Sequence, residues 1–282
     1  MSETTTPTQT ISPATPPWSW KPRAVIFDLF GDYLRYTGQG VRLAHLTALL
    51  SLFSIEPATV RMNLSRLRRE GWFTTTKDGR ETIYWMTPKL VDLLDEGREK
   101  IFARTDESWD SRWTMVIYQV PESERAVREM LKKSLAWAGF GQLSPSTWVA
   151  THDRAQAANA ISAQYPAARF DILWCEAMSE EQSLDLVRRC WDLDSLAEDY
   201  RAYIDEFGHL LVPSELATLD PPAALLARTH LTQSFRRFPF RDPQLPTVLE
   251  PVGWPGRTAF DTFERLHAAL AEQAESCVSS FM

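Results

Sequence analysis

Over the first hundred residues, hydrophobic positions recur with the spacing of an α-helix in three successive segments: RAVIFDLFGDYL (23–34), VRLAHLTALLSLF (41–53) and the stretch 57–71. The next segment, WFTTTKDGRETIYWM (72–86), has two β-rich runs around Asp78-Gly79, which is a strong signal for a β-hairpin. Three helices followed by a hairpin is the order of elements in a winged helix-turn-helix. This order predicts a module whose third helix enters the major groove of DNA.

The pattern changes further along the chain. From 105 to 180, strand-like runs and helical segments alternate in the order βαββαβ, which predicts a ferredoxin-like middle domain. From 181 to 282 the pattern is mostly helical, and we expect a C-terminal effector and dimer domain there. The sequence thus predicts an α+β chain with a winged helix-turn-helix at 21–104. Residues 1–20, rich in Thr, Pro and Ser, are expected to be a disordered tail.

Charge is divided unevenly between these regions. The chain has a net charge of −7, yet 21–104 contains 14 Lys and Arg against 10 Asp and Glu, whereas 105–282 contains 16 against 26. The overall acidity argues against non-specific coating of nucleic acid, while the basic first module fits local contact with DNA. Three cysteines without paired spacing and the lack of a membrane-length apolar run favour a cytoplasmic protein that does not enter a membrane.

The third predicted helix has one apolar face and one basic face. Val60, Leu64 and Leu67 share one side and would dock the helix on the core. The outward positions that we expect to contact DNA are Thr59, Arg61, Met62, Ser65, Arg66 and Arg69. Because the first turns of a recognition helix reach base edges, the early positions suit base reading. The later arginines suit phosphate contact or a pairing with Glu70.

Two of these side chains, and two in the hairpin, have a definite chemistry for DNA. Arg61 can donate to guanine O6 and N7, and Thr59 can reach a base edge or a phosphate. Lys77 and Arg80 flank the predicted turn and suit phosphate contact, because a hairpin needs no basic residues in order to fold. The alternative for all of them is a solvated basic surface that binds nothing.

Three segments resemble the PaaX family, which are repressors of phenylacetate catabolism. They are LFGDYLRYTGQGVRLAHLTALLSLFSIEPATVRMNLSRLRREGWF, WDSRWTMVIYQVPES and RRFPFRDPQLPTVLEPVGWPG, in the order of the family. The resemblance implies a homodimeric, cytoplasmic regulator with a GntR-like winged helix that phenylacetyl-coenzyme A releases from double-stranded operator DNA. Thr59 and Arg61 occupy places where GntR-type helices present a Thr and an Arg. Glu56-Pro57 departs from the hydroxyl-rich start of those helices.

The segment FRRFPFRDPQLP (235–246) is the candidate for binding such an effector. Arg236, Arg237 and Arg241 lie among phenylalanines, and cations beside aromatic rings can hold the phosphates and adenine of a coenzyme A thioester. The alternative is that the arginines tie acidic helices together while the phenylalanines fill the core.

The sequence gives little support to an enzyme. The first strand of the middle domain ends in Tyr118-Gln119-Val120 without a carboxylate, which argues against a metal-dependent nuclease of the kind that shares the ferredoxin-like form. The five histidines lie apart, and neither a GxSxG motif nor a phosphate-binding glycine loop is present. We therefore expect no catalytic residue, metal or cofactor. The alternative is an aryl-CoA-processing, thioesterase-like enzyme fused to a DNA-binding domain.

Overall fold

The computed structural model describes residues 19–102 and 109–282, and it begins with a module of helices around a small sheet. Its elements are α1 (Pro22–Asp32), β1 (Val41–Arg42), α2 (Leu43–Ser51), α3 (Pro57–Arg69), β2 (Phe73–Asp78), β3 (Glu81–Met86) and α4 (Pro88–Phe102). The sheet is antiparallel in the order β1-β3-β2. The predicted helices and hairpin are present in the predicted order. The short strand β1 was not predicted.

Proline and glycine set the limits of the elements that matter for the site. Pro57 occupies the first turn of α3, where its missing N–H has no helical partner to lose. Gly71 follows the helix with φ 81°, and Gly79 lies in the hairpin turn with φ 59°, both conformations that glycine adopts without strain. Asp78 pairs with Glu81, so the turn itself consists of Gly79 and Arg80.

The middle module is a four-stranded antiparallel sheet with two helices. It consists of β4 (Arg112–Gln119), α5 (Arg125–Trp137), β5 (Gly141–Ser144), β6 (Thr147–Ala150), α6 (Ala155–Gln164) and β7 (Arg169–Glu176). The strand order is β5-β6-β4-β7, so the predicted βαββαβ arrangement is confirmed. Val116 from the sheet packs with Leu131 and Leu135 of α5 and Ile161 of α6 in a separate core.

In the C-terminal region, the described secondary structure consists of α-helices and short 3₁₀ turns. They are α7 (Glu180–Cys190), α8 (Leu193–Phe207), α9 (Pro213–Leu216), α10 (Pro221–Phe235), α11 (Gly256–Ala269) and α12 (Ala271–Ser279). With two antiparallel sheets and these helices, the α+β class predicted from the sequence is confirmed. Within the described residues, no helix is both long and apolar enough to span a membrane.

The first module and the C-terminal helices share a core. Leu225 of α10 and Ala274, Cys277 and Val278 of α12 are buried in the same cluster as the apolar residues of α1, α2 and α3. The domain bounds that we expect from the sequence therefore stay predictions; they are 21–104, 105–180 and 181–282. The proposed boundary at 104 and 105, and residues 1–18 of the predicted tail, lie outside the described residues.

Candidate nucleic-acid interface and ligand cavities

α3 is fixed to the module by an apolar ridge. Val60, Leu64 and Leu67 are almost fully buried, at 0%, 0% and 1% exposure, against the core that α1 and α2 provide. The three positions lie on one side of the helix, as their spacing predicts. Burial of this ridge leaves the opposite side of α3 facing outwards.

The outward side of α3 carries the residues predicted to contact DNA. Arg61, Met62, Arg66 and Arg69 are exposed, while Thr59 and Ser65 are half-buried. Met62 is 64% exposed, so an apolar side chain also faces outwards on this side of the helix. The Arg61 Nε donates to the Pro57 carbonyl at 3.2 Å, so its guanidinium lies along the first turn of the helix. These residues share the outward side of α3.

Glu70, just after α3, binds two of the neighbouring arginines. Arg66 Nε donates to its carboxylate at 2.9 Å, Arg23 of α1 donates to the other oxygen, and Trp72 Nε1 lies 3.1 Å from that oxygen. Hydrogen bonds from Arg23 and then Arg66 lower the pKa of Glu70 to about 2. The described residues provide no comparable acidic partner for Arg69, which leaves its guanidinium available.

The hairpin also carries exposed basic residues. Lys77 Nζ donates to Thr82 Oγ1 at 2.8 Å across the two strands, and Arg80 is exposed in the turn. Arg42 of β1 pairs with Asp78 at 2.7 Å beside the same turn. The sequence patterns did not single out Arg42, because its position next to the hairpin depends on the pairing of β1 with β3.

The three arginines predicted to bind an effector do not converge. Arg236 pairs with Asp28 of α1, and Arg241 pairs with Asp199 of α8. Arg237 is exposed, with its guanidinium 5.2 Å from the Phe238 ring centroid. These contacts fit the alternative that the arginines tie helices together. The assignment of all three to an effector site stays a prediction.

A polar contact between α1 and α10 lies near the start of that segment. The Asp28 carboxylate accepts hydrogen bonds from Gln233 and Arg236 and is 9% exposed. Burial raises the pKa of Asp28 to about 7, although Arg236 and Gln233 act in the opposite direction. This group therefore titrates near neutral pH at the junction of the first module and the C-terminal helices.

A second contact of this kind is centred on Arg228 of α10, which is 5% exposed. Arg228 Nε donates to the His267 carbonyl at 2.9 Å, and the guanidinium lies 5.0 Å from the Tyr33 ring centroid. His267 Nε2 is 3.6 Å from the Asp32 carboxylate at the end of α1. Asp28 of α1 is thus held by Arg236 after α10, whereas Asp32 only lies near His267 of α11 without a hydrogen bond between them.

The two larger of the cavities that the described residues form beside the last turns of α4 differ in polarity. The larger, about 420 Å³, lies between α4, α5, α6 and the chain after α10, and has Lys100 and Arg154 but also Glu96, Glu99 and Asp242 in its wall. The smaller, about 180 Å³, lies between α1, α4 and α10 and is mostly apolar. Among the described residues, no cluster of three or more His, Cys, Asp or Glu side chains is placed to hold a metal ion.

Known proteins resemble this chain along most of its length. Transcriptional repressor PaaX of Escherichia coli (strain K12) is 28% identical over 271 residues, which cover 91% of this chain and 82% of that protein. Among solved structures, the uncharacterized protein Rv0674 from Mycobacterium tuberculosis superposes with a TM-score of 0.63 at 21% identity, covering 91% of this chain and 98% of that one. The second likeness concerns the fold alone.

Three family models match successive parts of the chain. The model described as PaaX-like protein matches 21–90, the PaaX protein central Cas2-like domain matches 106–187, and the PaaX-like protein C-terminal domain matches 191–280. Together they cover nearly everything beyond the first 20 residues, in the order of the three modules. The resemblance inferred from the sequence is therefore confirmed, and this chain belongs to the PaaX family.

Proposed function

We propose that this chain is a transcriptional repressor that binds double-stranded operator DNA with α3 and the β2–β3 hairpin. The similar protein of Escherichia coli carries the name of a transcriptional repressor. The observation that carries the proposal is the two-sided character of α3. Its apolar ridge is buried, while exposed arginines occupy the opposite side, which is the side that a recognition helix would turn towards the major groove.

The early residues of α3 are assigned to base reading. Thr59 and Arg61 belong to the first turns, where a recognition helix approaches base edges, and Met62 and Ser65 follow along α3 as further candidates for DNA contact. Arg61 would exchange its hydrogen bond with the Pro57 carbonyl for a guanine, which offers two acceptors in place of one.

Phosphate contact is assigned to residues further from the start of α3. Arg66 and Arg69 lie towards its end, and Lys77 and Arg80 lie in the hairpin, which would rest on the DNA backbone. Arg66 is already paired with Glu70, so Arg69 and Arg80 are the stronger candidates among the four.

Regulation by a small molecule completes the proposal. The repressor would act in the cytoplasm as a homodimer on an inverted-repeat operator, since a two-fold axis relates its two recognition helices. An aryl-CoA thioester such as phenylacetyl-CoA would release it from DNA. To do so, the effector must bind more tightly to a dimer arrangement whose recognition helices no longer match the half-site spacing.

The direct test combines mapping with titration. Genomic sites bound by the full chain are mapped first, and a duplex of the consensus is then titrated by fluorescence anisotropy against a scrambled duplex. Preferential binding of the consensus supports the proposed function, and equal affinity for both duplexes rejects it. The same titration with phenylacetyl-CoA tests the effector separately, because unchanged operator affinity rejects that ligand without affecting the assignment of DNA binding.

A further inference from the structure

Glu70 directly follows α3, and its backbone is fixed at the end of the helix. It is the C-cap residue, and its carbonyl accepts a hydrogen bond from Lys89 Nζ at 3.0 Å. The Lys89 ammonium also lies 3.9 Å from the centroid of the Trp72 ring. A cation is favourable at this end of a helix, where the last carbonyl groups lack helical partners. The Glu70 side chain therefore extends from a well-anchored position.

The Glu70 carboxylate holds its two arginines unequally. Arg23 of α1 and Trp72 Nε1 both donate to one carboxylate oxygen, and the Arg23 guanidinium lies 5.3 Å from the Phe27 ring centroid. Within the described residues, Arg66 is bound only through its Nε, which donates to the other oxygen at 2.9 Å. The Arg66 side chain is 71% exposed, whereas that of Arg23 is 42% exposed.

Arg66 is consequently the partner that can leave. Its departure leaves the Glu70 carboxylate with hydrogen bonds from Arg23 and Trp72, so no unpaired charge remains. Hydrogen bonds from Arg23 and then Arg66 lower the pKa of Glu70 to about 2, so this group is ionised near neutral pH. A DNA phosphate offers a guanidinium the same kind of anionic oxygen acceptor. The carboxylate and a phosphate can therefore exchange places on Arg66.

We propose that Glu70 is an internal competitor of the DNA backbone: it holds Arg66 in place of a phosphate and lowers the affinity of the repressor for DNA of any sequence. This role rests on the proposed function, in which Arg66 contacts phosphate. The effect is independent of sequence, because phosphate contacts carry no base information. Arg61, which is assigned to base reading, is held by the Pro57 carbonyl and not by Glu70.

The opposite role for Glu70 would be to orient Arg66 towards a phosphate. In that case its removal would weaken DNA binding. The charge of Glu70 argues against this role, because an incoming phosphate would share one guanidinium with a second anion and be repelled by it. Loss of the Glu70 charge should therefore strengthen binding.

The test is a double-mutant cycle in the full chain, with Glu70→Gln, Arg66→Ala and the double variant. Each protein is titrated by fluorescence anisotropy against the operator and scrambled duplexes at several salt concentrations. Glutamine keeps the size of the side chain and an acceptor for Trp72 Nε1, but it removes the charge. Asp92→Asn removes one negative charge at an exposed position of α4 and is the control for net charge. Thermal denaturation checks that each variant is folded.

Glu70→Gln should bind both duplexes about fivefold more tightly at about 0.15 M salt, and its slope of log affinity against log salt should steepen by about 0.9, the values for one added phosphate contact. Arg66→Ala should weaken binding by less than about twofold in the wild-type chain, but by about fivefold in the Glu70→Gln background. The preference for operator over scrambled DNA should stay the same in all of these variants. Asp92→Asn should bind both duplexes as the wild-type chain does.

Three results would overturn this role for Glu70. They are an effect of Arg66→Ala that is the same with and without the Glu70 charge, a Glu70→Gln chain that binds DNA no more tightly than the wild-type chain, and an equal gain in Asp92→Asn. A wild-type chain that binds neither duplex would reject the proposed function and this role together. DNA binding without coupling between Arg66 and Glu70 would reject this role alone.

Discussion

Arg61 and Arg69 stand at opposite ends of the outward face of α3, and their surroundings predict different roles. Arg61 lies in the early turns and is held only by the Pro57 carbonyl. Arg61→Ala should therefore lower the preference for operator over scrambled DNA by about 1–3 kcal/mol, the value of a bidentate contact with guanine. Anisotropy titrations with both duplexes measure this preference directly.

Arg69→Ala is the matched comparison on the same helix. Because Arg69 lies where phosphate contact is expected, its loss should weaken binding to all DNA alike and reduce the slope of log affinity against log salt by about 1. The opposite result is that Arg69→Ala loses the preference for operator over scrambled DNA while Arg61→Ala keeps it. That result would show that the later end of α3 reads the bases.

At the level of single residues, the sequence predicted the features that depend on residues close to each other in the chain. The spacing of Val60, Leu64 and Leu67 identified the buried ridge, and the pairing of Arg66 with Glu70 follows from their positions one helical turn apart. The second arginine on Glu70 is Arg23, which lies 47 positions away in the chain. Asp28 and Arg236 are 208 positions apart. No local pattern contains such pairings.

Among the elements, the hairpin depends on a local sequence signal, whereas β1 depends on pairing with a distant strand. The Asp78-Gly79 turn chemistry is local, so the hairpin could be predicted to within one residue of its turn. β1 has only two residues, Val41 and Arg42, and it exists because they pair with Tyr84 and Ile83 of β3. The helical segment predicted at 41–53 extends two residues beyond α2 at each end, and the pairing of β1 accounts for the two at its start.

Gly40 controls how β1 approaches the hairpin. A Cβ atom at this position would lie 2.4 Å from Ile83 Cγ2 and 2.5 Å from Trp85 Cε2, both on β3. Gly40→Ala should therefore displace β1 or the Trp85 ring and lower the free energy of unfolding by about 1–3 kcal/mol. Urea denaturation followed by circular dichroism gives this quantity.

Gly97→Ala is the control for that measurement, because its new methyl group meets open space within α4. Helix propensity predicts that it raises the free energy of unfolding by about 0.5–1 kcal/mol. If Gly40→Ala were as stable as the wild-type chain, the close approach of β1 and β3 would not constrain this residue.

On the scale of the whole molecule, the burial of Asp28 between α1 and the C-terminal helices predicts a dependence of stability on pH. Burial raises the pKa of Asp28 from 3.8 to about 7, so the folded chain holds this proton more tightly than the unfolded chain. The stabilisation of the folded chain by this proton is fully present below pH 3.8, and it is lost as pH rises through about 7. Between pH 5 and pH 8 it should decline by on the order of 1–3 kcal/mol.

Asp28→Asn removes this titration, so its free energy of unfolding should fall less than that of the wild-type chain over the same pH range. The neighbouring Asp32, His267 and Arg236 remain in both proteins, and the difference between the two profiles isolates Asp28. Asp92→Asn, at an exposed position of α4, should follow the wild-type profile. Parallel profiles for all three proteins would mean that Asp28 keeps an ordinary pKa.

The shared core predicts that the DNA-binding module depends on the end of the chain. Val278 of α12 is 4% exposed and belongs to the same buried cluster as residues of α1, α2 and α3. Periodicity cannot reveal this connection, because it shows which face of a helix is apolar but not what covers it. Val278→Ala removes two buried methyl groups and should lower the free energy of unfolding by about 1–2 kcal/mol. Hydrogen exchange should show the loss of protection in α1 and α2 as well as in α12.

The exposed neighbour Ser279 provides the control Ser279→Ala, which should change neither the free energy of unfolding nor the hydrogen-exchange protection. Protection lost in α12 alone would mean that the winged helix is stable without the C-terminal helices, and that a signal from the C-terminal region must reach DNA by a path other than this core.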